Sequence, residues 1–293
     1  MPVNPIAAAV CIATHCLSDA MQCASDAVCR KTGMCMTGCT WDAPGCYLNC
    51  EVRQNADLTT FTKFSSCMFK NECQPQGPLD GECRVTKKDG QKNLTSVADI
   101  AGSWWVTKGV NPHYDSFPCQ HNRYIFDEQR KVWVNNVTWL DTFHEPKRLI
   151  GTIPVVNVTD AGVFMHYYDD LDQIEPWTVI SKPHPDYMMM LWCGENPALK
   201  YAGGILLARD KDYHNMPKWV EEIFRREVNA RGLDFDNELF INDNSQCEED
   251  PPQPCEEDPP QACEEDPIQP EDHSFGASAS ESSAMAQPLQ VSI

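Results

Sequence analysis

Basic residues are scarce in this chain, as are glycine and long apolar runs. Its 293 residues hold 23 Lys and Arg against 43 Asp and Glu, a formal charge of -20, with 15 Gly beside 22 Pro. Nucleic acid and anionic membrane surfaces repel so acidic a chain at neutral pH, and no nucleic-acid partner is expected. A more acidic compartment weakens that repulsion. No apolar run approaches the ~20 residues of a membrane span, and the longest candidate, Ile6 to Ala13, already contains Cys11. Met1 is followed by Pro2 and by no basic stretch leading into an apolar one, so any targeting peptide is expected to be absent or already removed. The spacing Cys-x-x-Cys is missing as well, which argues against zinc knuckles, and no metal is expected.

Cysteine itself is abundant and unevenly spread. Eleven of the 16 fall between Cys11 and Cys83, only Cys119 and Cys193 follow as far as Asn244, and the last three sit in an octamer repeat opening at Cys247, Cys255 and Cys263. From Cys247 to the end there are 12 acids and no Lys or Arg, leaving -8 on the preceding 246 residues. Rich in Pro and poor in large apolar groups, that tail cannot offset its ordering entropy and reads as disordered. Three regions follow: a Cys-rich domain over 1–88, a central domain over 89–246 and an acidic tail over 247–293.

Within the first region, Cys35 and Cys39 are four apart, as are Cys46 and Cys50, and an i,i+4 pair lies on one helix face. Two helices joined by a turn at Thr40 to Gly45 would then pair Cys35 with Cys50 and Cys39 with Cys46. The preceding segment nearly repeats the pattern, predicting Cys11 with Cys29 and Cys16 with Cys23. Two stapled helical hairpins and an oxidising compartment are therefore expected.

From Ala101 to Arg209 the pattern changes to eight short runs of β-branched and aromatic residues: Trp104 to Thr107, His121 to Phe126, Lys131 to Leu140, Leu149 to Val158, Gly162 to Tyr168, Trp177 to Ile180, Tyr187 to Trp192 and Tyr201 to Ala208. Eight such strands fit an up-and-down barrel that holds one apolar ligand. Helical periodicity follows at Trp219, Ile223, Phe224 and Val228, and Gly232 ends it. The class is thus mainly β: an eight-stranded barrel with a C-terminal helix, a disulfide-stapled helical domain before it and a disordered acidic tail after it. Gly102-Ser103-Trp104 opening the first strand and Arg209 closing the last resemble the lipocalin signature, in which the Trp face stacks under the Arg.

The order of Cys-rich helices, barrel, helix and acidic tail resembles the violaxanthin de-epoxidase family over about residues 8 to 250. The resemblance is carried by the cysteine series Cys11 to Cys50, Gly102 to Pro112, Tyr114 to Gln120, His166 to Asp170, Tyr201 to Gly204, and Leu233-Asp234-Phe235 leading to Asn244 and Cys247. It implies the same nested staples and adds Cys67 with Cys73 and Cys119 with Cys247, leaving Cys83, Cys193, Cys255 and Cys263 without a family partner. It implies removal of an epoxide oxygen from a xanthophyll, with L-ascorbate as reductant, in the thylakoid lumen of the chloroplast. It also implies peripheral association with galactolipid at low pH and a homodimer there.

Epoxide opening needs an acid that holds a proton in apolar surroundings, where burial raises a carboxyl pKa. Asp169 matches the family's proton donor and Asp115 a second acid of the pocket. Asp170, Tyr168, Tyr201, Trp177 and His166 are candidate substrate contacts, with His166 also a candidate pH sensor. The family carries an acid at the position of Pro118, and here Leu171 to Pro176 lie between the aspartates and Trp177. These departures keep open an isomerase that yields an allenic alcohol without reductant. A third alternative is a non-enzymatic secreted lipocalin, which the sequons at Asn93, Asn136 and Asn157 would suit.

Overall fold

The computed structural model describes residues 5–40, 43–54, 57–73, 80–143, 147–168, 173–195 and 200–247. The acidic repeat, with Cys255 and Cys263, lies outside the described residues. Five helices come first: α1 (Pro5–His15), α2 (Leu17–Ser25), α3 (Ala27–Met36), α4 (Pro44–Arg53) and α5 (Thr59–Lys70). Asp26 starts α3 by accepting the Cys29 N–H, and Pro44, with no N–H to leave unpaired, starts α4.

In the second hairpin, Cys35 pairs with Cys50 and Cys39 with Cys46, as their spacing predicts. The first hairpin differs from expectation. Cys11 pairs with Cys73, Cys16 with Cys67 and Cys23 with Cys29, so neither Cys11–Cys29, Cys16–Cys23 nor the Cys67–Cys73 bridge implied by the family resemblance forms. The reason is the path of the chain. α1 and α2 meet at 98°, which takes Cys11 away from α3, and α5 packs on α2 and brings Cys67 and Cys73 alongside.

Nine strands follow: β1 (Gly102–Gly109), β2 (His121–Asp127), β3 (Val132–Asp141), β4 (Lys147–Asp160), β5 (Val163–Tyr168), β6 (Gln173–His184), β7 (Tyr187–Glu195), β8 (Lys200–Ala208) and β9 (Phe240–Ile241). The first eight pair antiparallel with their neighbours, and β1 bonds both β8 and β2, closing the barrel. Closure leaves no free edge to template aggregation. β1 pairs with β2 only up to Trp105, and β9 then takes the freed edge at Lys108 and Gly109. Beyond β1, Asp80 extends the β8 edge, bonding Lys200 and Ala202 through the backbone.

At one end the Arg209 guanidinium lies 3.5 Å from the centre of the Trp104 ring and donates to the carbonyls of Ser103 and Ala101. The signature triplet is thereby realised, and this end of the barrel is shut by a cation over an indole. α6 (Lys218–Asn229) packs outside the barrel through Val220, Phe224 and Val228, each fully buried. Each contributes on the order of 1.5–3 kcal/mol by burial. Trp219, expected in that stripe, is half exposed and meets His184 edge-on.

Cys119 pairs with Cys247, as the family resemblance implies, and Cys83 pairs with Cys193, a bridge the sequence did not suggest. The second bridge spans 110 residues and ties the segment before the barrel to β7. Replacing both Cys83 and Cys193 with Ser is expected to lower stability by roughly 2–4 kcal/mol through the freed unfolded chain. Urea unfolding of variant and parent side by side measures it.

Candidate active site

The end of the barrel opposite Arg209 is built from the β1–β2 connection and the neighbouring ends of β5, β6 and β8. Asp115 stands on the β1–β2 connection and is fully enclosed. Its Oδ2 accepts backbone N–H bonds from Asn111 at 2.8 Å, Gly204 at 3.0 Å and Val110 at 3.3 Å. Close approach is possible because β8 carries no side chain at Gly203: a Cβ there would lie 2.6 Å from Asp115 Oδ2 and would strike the Trp192 ring. The Tyr201-Ala202-Gly203-Gly204 stretch is therefore a seat for a carboxyl group. Burial pushes the Asp115 pKa up to about 7, against the lowering effect of the backbone donors.

A second carboxyl group lies inside the barrel, on Glu175. Its Oε2 accepts from Tyr168 Oη at 2.8 Å and from Trp177 Nε1 at 2.9 Å, while Tyr201 Oη donates to Oε1. Burial, reinforced by the Glu175 charge, holds the Tyr168 and Tyr201 phenols well above their ordinary pKa, so both stay protonated as donors. Tyr114 meets Trp192 edge-on and lies tilted against Tyr201, and burial, aided by the charges of both Glu175 and Asp115, raises its phenol pKa, which places the two carboxyl groups around one aromatic cluster.

Sequence patterning starts the sixth strand at Trp177 and leaves Glu175 in the Leu171 to Pro176 stretch before it. The strand starts at Gln173, and in its register Glu175 faces His166 on β5 while Trp177 faces Phe164. Period-two alternation back from Trp177 and Val179 was the signal that would have found it.

The structure brings Asp115, Tyr168, Tyr201, Trp177 and His166 to the barrel interior. His166 is enclosed, with Nε2 3.2 Å from Tyr124 Oη and its ring 4.5 Å from that of Trp177. Burial drives its pKa down to about 3, below the range in which a histidine pH sensor near neutrality charges. Asp169, Asp170 and Asp172 lie outside the described residues. Of the three sequons, Asn136 sits half-buried on β3, a poor acceptor geometry for a bulky glycan.

An eight-stranded barrel shut at one end by Arg209 over Trp104, with carboxyl groups and phenols at the other, is a lipocalin-type barrel. The family model for the VDE lipocalin domain matches residues 8–244, and the chain belongs to that family. It is 22% identical over 268 residues to the chloroplastic violaxanthin de-epoxidase of Arabidopsis thaliana, covering 85% of this chain and 55% of that protein. The corresponding proteins of Spinacia oleracea and Nicotiana tabacum are also 22% identical, with 54% and 53% of their lengths covered. The chain spans about half the length of these relatives.

The raised Asp115 pKa makes stability depend on pH with a definite sign. Between its ordinary 3.8 and about 7 the folded protein keeps a proton that the unfolded chain has released, so stability falls as pH rises through that window. Asp115→Asn keeps an oxygen for the backbone donors and removes the titration. Relative to the parent it is expected to gain on the order of 3–4 kcal/mol between pH 4.5 and 7.5, read by urea unfolding at each pH.

Proposed function

We propose that the barrel opens an epoxide by acid catalysis and that the chain acts as a xanthophyll de-epoxidase, taking its reducing equivalents from ascorbate. One observation carries this: two buried carboxyl groups, Asp115 and Glu175, share an aromatic cluster inside the barrel at the end opposite Arg209, and burial raises the Asp115 pKa to about 7. The names of the relatives point to the same chemistry.

With Oδ2 held by three backbone donors, the Asp115 proton resides on Oδ1, from which it passes to the epoxide oxygen. The C–O bond then breaks heterolytically, and the cation formed on the ring carbon is stabilised by the Glu175 carboxylate and by the faces of Trp177 and Trp192. Two electrons from ascorbate and a second proton release the oxygen as water and leave a C=C bond, with dehydroascorbate as the oxidised product. Tyr168 and Tyr201 hold Glu175 in place. An acidified plastid lumen would keep Asp115 protonated, and the seven disulfides among the described residues suit such an oxidising compartment. Galactolipid association and a low-pH homodimer, expected from the family resemblance, accompany this proposal.

The test incubates the oxidised protein with violaxanthin in galactolipid micelles, with and without ascorbate. A product that has lost one oxygen, formed only with ascorbate, is expected. A product of unchanged mass formed without ascorbate would identify an isomerase and overturn the reductive step. Glu175→Gln is expected to lower kcat by about 10²–10⁴, the range for a group acting directly in proton transfer or charge stabilisation. If Asp169→Asn abolishes turnover while Glu175→Gln leaves it intact, the role given to Glu175 passes to Asp169.

A further inference from the structure

Two asparagines of the barrel wall are not used by the chemistry above. Asn122 on β2 lies in register with Trp104 on β1 and Val137 on β3, while Asn135 on β3 lies in register with Tyr124 on β2 and Ile153 on β4. Tyr124 reaches across the barrel to His166, so its face of the sheet is the interior, and paired residues share a face. Both asparagines therefore point inward, and both are fully buried. Asn135 Nδ2 donates to Asn122 Oδ1 at 2.8 Å. That single bond leaves Asn122 Nδ2 and Asn135 Oδ1 buried without a partner among the described residues.

Turning both amides over exchanges the atoms and changes nothing else: a bonded amide pair always leaves one N–H₂ donor and one carbonyl acceptor side by side. An apolar interior makes such orphans expensive. An adjacent donor and acceptor are satisfied together by one oxygen that accepts through its lone pairs and donates through its proton, the hydroxyl of a ligand or of a water that such a ligand displaces. A hydrocarbon satisfies neither, and a carboxylate or ketone oxygen would leave the acceptor unpaired.

We infer that Asn122 and Asn135 form a subsite for a hydroxyl carried on the otherwise apolar ring of the ligand. The subsite rests on the barrel interior being the ligand site, as proposed above, and it makes this wall a determinant of specificity. It lies on the β2–β3 side of the barrel, whereas Glu175 is on β6.

Ring fragments differing in one group provide the probe: β-ionone and 3-hydroxy-β-ionone, titrated against the intrinsic fluorescence of the full chain, whose Trp133, Trp177 and Trp192 belong to the barrel core. The parent is expected to bind the hydroxylated ring about tenfold more tightly, the value of one or two buried hydrogen bonds. The double variant Asn122→Leu/Asn135→Leu, close in volume, is expected to bind the two probes equally. Equal affinity in the parent, including no measurable binding of either probe, overturns the subsite, as does a preference that survives in the variant. Should the double variant not fold, Asn135→Leu alone and the preference of the parent still decide. The readout is independent of turnover. A hydroxyl preference without conversion of violaxanthin would sink the proposed reaction and leave the subsite standing, while conversion without a preference would do the reverse.

Discussion

The enclosure of one carboxyl group, Asp115, organises the end of this barrel opposite Arg209. Its Oδ2 draws in the N–H groups of Val110, Asn111 and Gly204, which join the β1–β2 connection to β8 across the point where β1 leaves its ladder. Any residue larger than Gly at position 203 would push the carboxyl group and Trp192 apart. A charge in such a place costs more than the three donors return, and so the group resists ionisation to about pH 7. The same contact that shapes the loop therefore creates an acid that is protonated where an ordinary aspartate is not.

The segments on either side of the barrel hold that loop in place. The Asn242 side chain donates to the Asp115 carbonyl at 2.8 Å, Asn244 to that of Val106 at 3.0 Å, and the Cys119–Cys247 bridge fastens the loop's far end to the same strand-like stretch. From the Cys-rich side, α4 abuts the loop so closely that a Cβ on Gly45 would collide with the His113 carbonyl and the Phe117 ring. Phe117 in turn stacks on Trp139, whose Nε1 donates to Asn49 of α4, and Asn49 and Arg53 both bond the buried Asp141 of β3. Leu48 and Val52 complete an apolar cluster with Val137, Trp139 and Leu149. The helical region is thus joined to the site through packed and charge-assisted contacts.

What could be read from the sequence divides by range. All eight barrel strands, the Trp104–Arg209 closure and the Cys35–Cys50 and Cys39–Cys46 staples follow from local periodicity, turn residues and short spacing, and the structure has them. Pairings that depend on how separate helices meet differ from those that spacing predicts. Cys11 with Cys73 and Cys16 with Cys67 require α5 to return onto α2, and Cys83 with Cys193 requires the approach to the barrel to cross β7, neither of which spacing encodes. Asp115 was legible through its motif. Glu175 was not, because Gln-Ile-Glu-Pro has weak strand character and a Pro at position 176, and the continuous barrel wall overrides that local preference.

The burial of His166 has a consequence for how pH acts on the site. A histidine that met solvent would charge near neutrality and place a cation beside Glu175, its register partner on β5–β6. Here Tyr124 and Trp177 enclose it, and it remains a neutral polar group down to about pH 3. Acidification across the range from neutrality to about pH 5 therefore changes Asp115 and leaves the imidazole as it was. In the proposed reaction the site would gain a proton on the group that delivers it, without gaining a positive charge to oppose the cation formed as the epoxide opens. Separation of the two pKa values by burial, one carboxyl raised and one imidazole lowered, is the feature that would let acid favour that reaction.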